Sequence, residues 1–140
     1  MEKLRGILFV DDSITANFYH QDLFEELDIA NEIAVVEDGL EALEFLKTKG
    51  AFKSYPNEYP QPSIIFLDVN MPRMDGLEFL AAYSKIPKEQ NQGQVIIMLT
   101  TSLLEDDKTT ALSYDFVADF WNKPIDEITI VDRIKSILTK

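Results

Sequence analysis

The residues of this chain whose types could do chemistry together are Asp11-Asp12, Asp68, Thr100-Thr101 and Lys123. Each follows a short strand-like run, continuously apolar before the first three and broken by Asp119 before the last. Gly6-Ile7-Leu8-Phe9-Val10 precedes the acidic pair, and Ser63-Ile64-Ile65-Phe66-Leu67 precedes Asp68. Gln94-Val95-Ile96-Ile97-Met98-Leu99 precedes Thr100, and Asp115 to Trp121 precedes Asn122-Lys123-Pro124. Continuous apolar runs stopped by turn-forming residues read as buried strands. In a parallel sheet covered by helices, ligands bind beyond the carboxyl ends of the strands. If the first and third strands are neighbours, Asp11-Asp12 and Asp68 meet at that edge. Packed carboxylates raise one another's pKa, and a hard cation relieves the repulsion. Mg²⁺ takes one or two carboxylates, keeps several waters and commonly binds beside phosphate. Lys123 adds a second positive charge and Thr100 a hydroxyl donor. The set suits phosphoryl transfer, in which a carboxylate attacks phosphorus and an acyl phosphate forms.

Taken singly, most of these residues have plainer explanations. Asp68 could cap the turn after its strand, and Asp11-Asp12 could cap the first helix, where the macrodipole favours acids. Thr101 reads as a polar loop residue, Asp75-Gly76 as a turn and helix start, and Asp106-Asp107 as an exposed first turn. The lone His20 falls mid-helix, where packing is the better reading. The absence of cysteine excludes disulfides, thiolate metal sites and Cys nucleophiles. There is no P-loop glycine pattern and no Ser-His-Asp set.

The elements that must position the site follow in order. Ser13 offers a helix N-cap. Ile14, Phe18, Leu23, Phe24 and Leu27 then recur at helical spacing and predict an amphipathic helix over 14–27. Asn31-Glu32 is expected to break it before a strand at Ile33-Ala34-Val35-Val36. After Asp38-Gly39, the residues Leu40, Leu43, Phe45 and Leu46 mark a second helix, ending near Gly50. Ala51 to Pro62, with Pro56, Pro60, Tyr55 and Tyr59, reads as a long irregular loop, a surface insertion or a contact element. Leu77 to Ile86 is helical and Pro87 ends it. Glu105 to Tyr114 is a short polar helix, and Ile125 to Leu138 closes the chain as a helix with Ile128 on its apolar side. The alternation of strands and helices predicts one α/β domain over 1–140, a doubly wound five-stranded parallel sheet with five helices in the flavodoxin-like order 2-1-3-4-5.

A formal net charge of −12 repels nucleic acid and anionic lipid, and no basic cluster offsets it. The short apolar run near the N-terminus is too brief for a signal-peptide core or a membrane span. The cytoplasm is the default expectation.

The motif set resembles a response-regulator receiver domain of two-component signalling, similar to the chemotaxis response regulator. The resemblance covers the whole chain. It rests on Asp11-Asp12, on Leu67-Asp68 with Met71-Pro72 and Met74-Asp75-Gly76, on Leu99-Thr100-Thr101, and on Lys123-Pro124. It also extends to the stand-alone regulators that accompany phytochrome-type kinases. The resemblance implies Asp68 as phosphoacceptor and a Mg²⁺ held by Asp11, Asp12, Asp68 and the backbone carbonyl of Asn70. It implies Thr100 and Lys123 as ligands of phosphoryl oxygens and a cis Lys123-Pro124 bond. Phe120 is then the aromatic switch that turns inward as Thr100 is drawn to the phosphoryl group, while Asn70 and Ser102 tune the acyl-phosphate lifetime. The implied partners are a sensor histidine kinase or histidine phosphotransfer protein and a downstream protein, with a homodimer as a further option. Such a module is a switch and not an enzyme beyond its own phosphorylation and dephosphorylation.

Other classes compete. A haloacid-dehalogenase-like phosphohydrolase also uses an Asp after a strand, but wants an acid where this chain has Asn70. A flavodoxin-like FMN binder would need hydroxyl- and amide-rich phosphate loops where Asp11-Asp12 stands. A receiver-shaped scaffold that ignores phosphate would not need the intact residue set.

Overall fold

The computed structural model describes residues 3–47, 62–86, 94–101 and 104–139. The elements run β1 (Leu4–Val10), α1 (Ile14–Leu27), β2 (Ala30–Val36), α2 (Gly39–Lys47), β3 (Ile64–Asp68) and α3 (Gly76–Tyr83). They continue with β4 (Val95–Thr100), α4 (Glu105–Leu112), β5 (Val117–Asn122) and α5 (Ile130–Leu138). The five strands form one sheet in the order β2-β1-β3-β4-β5, and every neighbouring pair is parallel. This is the doubly wound arrangement that the sequence predicts. The order reverses beside β1, so the ends of β1 and β3 flank the crevice of the switch point. The 51–61 stretch of the irregular loop, the helix end near Gly50, Pro87 and Ser102 lie outside the described residues.

Strand parity builds two cores. Leu8, Val10, Ile65, Leu67, Ile96, Met98 and Phe120 pack under α2, α3 and α4. Ile7, Phe9, Ile64, Phe66, Ile97, Leu99 and Trp121 pack under α1 and α5. Because successive side chains point to opposite faces, a run that is apolar throughout serves both layers. Phe120 and Trp121 accordingly face opposite sides, as their alternation predicts.

Several boundaries differ from the sequence expectation. Asp28 takes a left-handed conformation (φ 53) and stops α1 abruptly. The chain is back in a strand by Ala30, with Leu4 N–H donating to the Ile29 carbonyl at 2.8 Å. Asn31 and Glu32 therefore lie within β2, not before it. They are tolerated because β2 is an edge strand and both are exposed. α5 begins at Ile130, not Ile125. The Asp126 carboxylate accepts from Ile128 N–H and Thr129 Oγ1 and holds a turn there. Ile125 is buried in that connection, and Ile128 is 85% exposed. On α1, Ile14 and Phe18 are 82% and 74% exposed, while Asn17, His20, Leu23 and Phe24 form the buried face. Spacing of four residues fits a solvent stripe as readily as a core stripe.

Two helix starts are set locally. Ser13 Oγ accepts from Ala16 N–H at 3.1 Å, and Asp75 forms a reciprocal capping box with Glu78. At the other end of β4, buried Tyr83 donates its hydroxyl to Gln94 Oε1 at 2.7 Å. Burial pushes the phenol up to about 12. Tyr83→Phe is expected to cost about 1 kcal/mol in urea unfolding, the net worth of one buried hydrogen bond. An unchanged midpoint would show that the bond adds nothing.

Candidate functional site

Parity also decides which side chains share the crevice. Phe9, Phe66 and Trp121 all lie on the α1–α5 face. Asp11, Asp68 and Lys123 each stand two residues further on. The period of two therefore carries all three toward the same side at the carboxyl edge. Beneath them the rings form a column. Phe9 stacks on Phe66 at 5.1 Å and on His20 at 5.5 Å, and Phe66 lies 5.9 Å from Trp121.

Asp11, Asp12 and Asp68 each offer a carboxylate oxygen, and these atoms all lie within 4.8 Å of one another. Asp11 and Asp68 are buried and Asp12 is exposed. The Lys123 ammonium pairs closely with Asp11 Oδ2 and stands 3.5 Å from Asp68 Oδ1. Asp11 Oδ1 accepts from Ser13 N–H and Asp68 Oδ1 from Val69 N–H, each at 2.9 Å. Burial pushes the Asp68 carboxyl up to about 6, with the Asp11 charge adding to the rise and Lys123 opposing it. One ammonium does not balance three acids, so the donor set fits a hard divalent cation. A cavity of about 630 Å³ opens over the cluster, and Asp12, Asn70 and Thr101 are among its lining residues.

Thr100 is the last residue of β4. It follows Ile96 and Met98 in parity, is 1% exposed, and does not line the cavity. Its carbonyl accepts from Lys123 N–H at 2.9 Å, so the two residues are linked through the backbone. Thr101, read from sequence as a loop residue, is the hydroxyl on the cavity wall. Phe120 is 7% exposed and packed with Met98 and Val117. Exposed Asn70 is at the cavity wall, and the Lys123–Pro124 bond is cis.

Sequence reading missed several neighbours. Asn17 Nδ2 donates to the Asp11 carbonyl at 2.8 Å and braces the end of β1. Asp38 is buried and accepts from Arg73 Nε at 2.7 Å and Glu41 N–H at 2.9 Å. This ties the β3–α3 loop to the β2–α2 loop. Arg73 does so from a left-handed conformation (φ 62). His20 is buried, as its packing reading predicts, and desolvation lowers it to about 4. The Asp38–Arg73 pair had no local signal, since its members stand 35 residues apart.

Comparison with known proteins adds the following. The family described as the response regulator receiver domain matches residues 7–135. The response regulator Rcp1 of Synechocystis is 35% identical over 101 residues, covering 72% of this chain and 65% of Rcp1. The chain thus spans about two thirds of that relative. A solved Mn²⁺-bound form of an Rcp1 superposes with a TM-score of 0.67 at 29% identity, over 95% of this chain and 88% of the other. The phosphorylated cyanobacterial phytochrome response regulator RcpA gives 0.74 at 26%, over 95% and 90%. A two-component response regulator from Cytophaga hutchinsonii gives 0.81 at 22% over 99% and 100%, which bears on fold. No described helix is long and apolar enough to cross a membrane.

Proposed function

The chain belongs to the response regulator receiver domain family, and from that premise we propose that it is a Mg²⁺-dependent phosphoacceptor whose Asp68 is the modified residue. The observation that carries the reading is the Lys123 ammonium shared between Asp11 and Asp68, with a carboxylate oxygen of Asp12 within 4.8 Å of theirs. The phosphodonor is a phosphohistidine on a sensor kinase or phosphotransfer protein. A carboxylate oxygen of Asp68 forms the new bond to phosphorus as the bond from the histidine nitrogen breaks, and the imidazole leaves with the electron pair.

Asp11, Asp12, Asp68 and the Asn70 carbonyl would hold Mg²⁺, which supplies positive charge to the phosphoryl oxygens and keeps Asp68 ionised. Lys123 is placed to leave its carboxylate partners in part and pair with a phosphoryl oxygen. Thr101 is the hydroxyl already on the cavity wall. Thr100 reaches the group only if its loop moves, and the bond from Lys123 N–H to its carbonyl makes that movement felt at Lys123. This backbone link carries the movement of Thr100 to the end of β5, the strand that holds Phe120, and the two states form a shifted equilibrium. The output is a change of protein contacts, and the net charge favours partners with a basic face.

The test is incubation with Mg²⁺ and acetyl phosphate followed by intact mass. One phosphoryl group on the wild type and none on Asp68→Asn is expected. Equal uptake by both would move the acceptor elsewhere, and none by either would end the reading.

A further inference from the structure

Ile125, two residues after Lys123, has both of its backbone polar groups met by adjacent side chains of α1. Tyr19 donates its hydroxyl to the Ile125 carbonyl at 3.2 Å, and His20 Nε2 accepts from Ile125 N–H at 3.4 Å. Acceptance at Nε2 needs a neutral ring with its proton on Nδ1. Ile125 is itself buried. His20 cannot drift, because its ring lies flat on Phe9 and edge-on to Tyr19. The other end of the segment is held where Lys123 N–H meets the Thr100 carbonyl at 2.9 Å. Residues 123–125 are thus tied to β4 at one end and to α1 at the other. The Lys123 side chain is only 10% exposed, so its otherwise flexible stem is packed and its ammonium follows the backbone that carries it.

We propose that Tyr19 and His20 are positioning residues for phosphoryl transfer, clipping Ile125 so that Lys123 is held over Asp68. This rests on the phosphoacceptor reading. Each contact is long, so the clip works as a pair, and both must be cut to release it. A displacement of about 1 Å at a reacting group costs up to about a hundredfold in rate.

The full chain is compared as wild type, Tyr19→Phe/His20→Leu and Tyr19→Phe/His20→Gln. Leucine fills the buried space without an acceptor, and glutamine returns one near the Nε2 position. Uptake from acetyl phosphate is followed over donor concentration, and each crystal structure gives the place of Lys123 Nζ. The leucine form is expected to lose about tenfold in maximal rate with half-saturation little changed. Its Lys123 Nζ should leave Asp68, and the glutamine form should recover most of both. An unchanged maximal rate, or a loss that glutamine does not recover, overturns the proposal. If the wild type takes up no phosphoryl group, the phosphoacceptor reading fails by itself. The place of Lys123 then decides: Nζ still on Asp11 and Asp68 in the leucine form refutes the clip, and Nζ displaced upholds it.

Discussion

Gly76→Ala is expected to lower stability by on the order of 3 kcal/mol, or roughly 10 °C in melting temperature. A Cβ at this position would stand 2.3 Å from the Asp68 carbonyl oxygen and 3.0 Å from Val69 Cα. Both are backbone atoms, so no side-chain rotation relieves the clash. The Gly76 N–H also donates to the Val69 carbonyl at 2.8 Å, which pins the first turn of α3 against the end of β3. Relief requires lifting α3 or shifting Asp68, and either disturbs the site. Gly6→Ala is the control. There the new carbon would meet its nearest atom, the Glu32 carbonyl oxygen, at 3.5 Å, an ordinary contact. Its effect is expected to stay below about 1 kcal/mol. Thermal unfolding of both variants checks this, and equal losses would show that close approach is not what Gly76 provides.

Asp68→Asn is expected to stabilise the metal-free protein at pH 7 by on the order of 2 kcal/mol. The carboxyl is raised from its ordinary 3.8 to about 6, chiefly by burial and then by Asp11. Between those values the folded protein keeps a proton that the unfolded chain releases. Wild-type stability therefore falls as pH rises through that window and is highest below it. A full conversion of the shift would give about 3 kcal/mol, and solvent in the open cavity screens part of it. Asparagine carries no such charge, so the advantage should shrink toward zero near pH 4. Effects common to both proteins, including the protonation of His20, cancel in the difference. Saturating Mg²⁺ should invert the order, since a cation at a hundred times its dissociation constant adds about 2.7 kcal/mol to the form that binds it. Urea midpoints in chelator and in Mg²⁺ at two pH values provide the measurement. A variant that is less stable than wild type at pH 7 without metal would show that Asp68 is not a strained charge.

The acidic pair, Asp68, Lys123 and the strand-helix alternation were legible because each is a local pattern. An apolar run stopped by a polar residue marks a strand end whatever lies across the sheet. The face of α1 was not legible in the same way. Ile14 and Phe18 share the spacing of core residues, and only the position of the sheet makes Asn17 and His20 the buried ones. The start of α5 was also misplaced, because Asp126 captures Ile128 and Thr129 in a turn that competes with helix.

The sequence by itself determined the alternation of strands and helices and the strand ends at which the acids and the amine stand, since short-range patterning dictates these. Tertiary structure alone decided that Thr101 and not Thr100 faces the cavity, that Asp38 is closed off by Arg73, and that α1 grips Ile125 beside Lys123. Those outcomes depend on strand parity at the sheet edge and on which distant segments pack together. Neither is fixed until the layers have closed on one another.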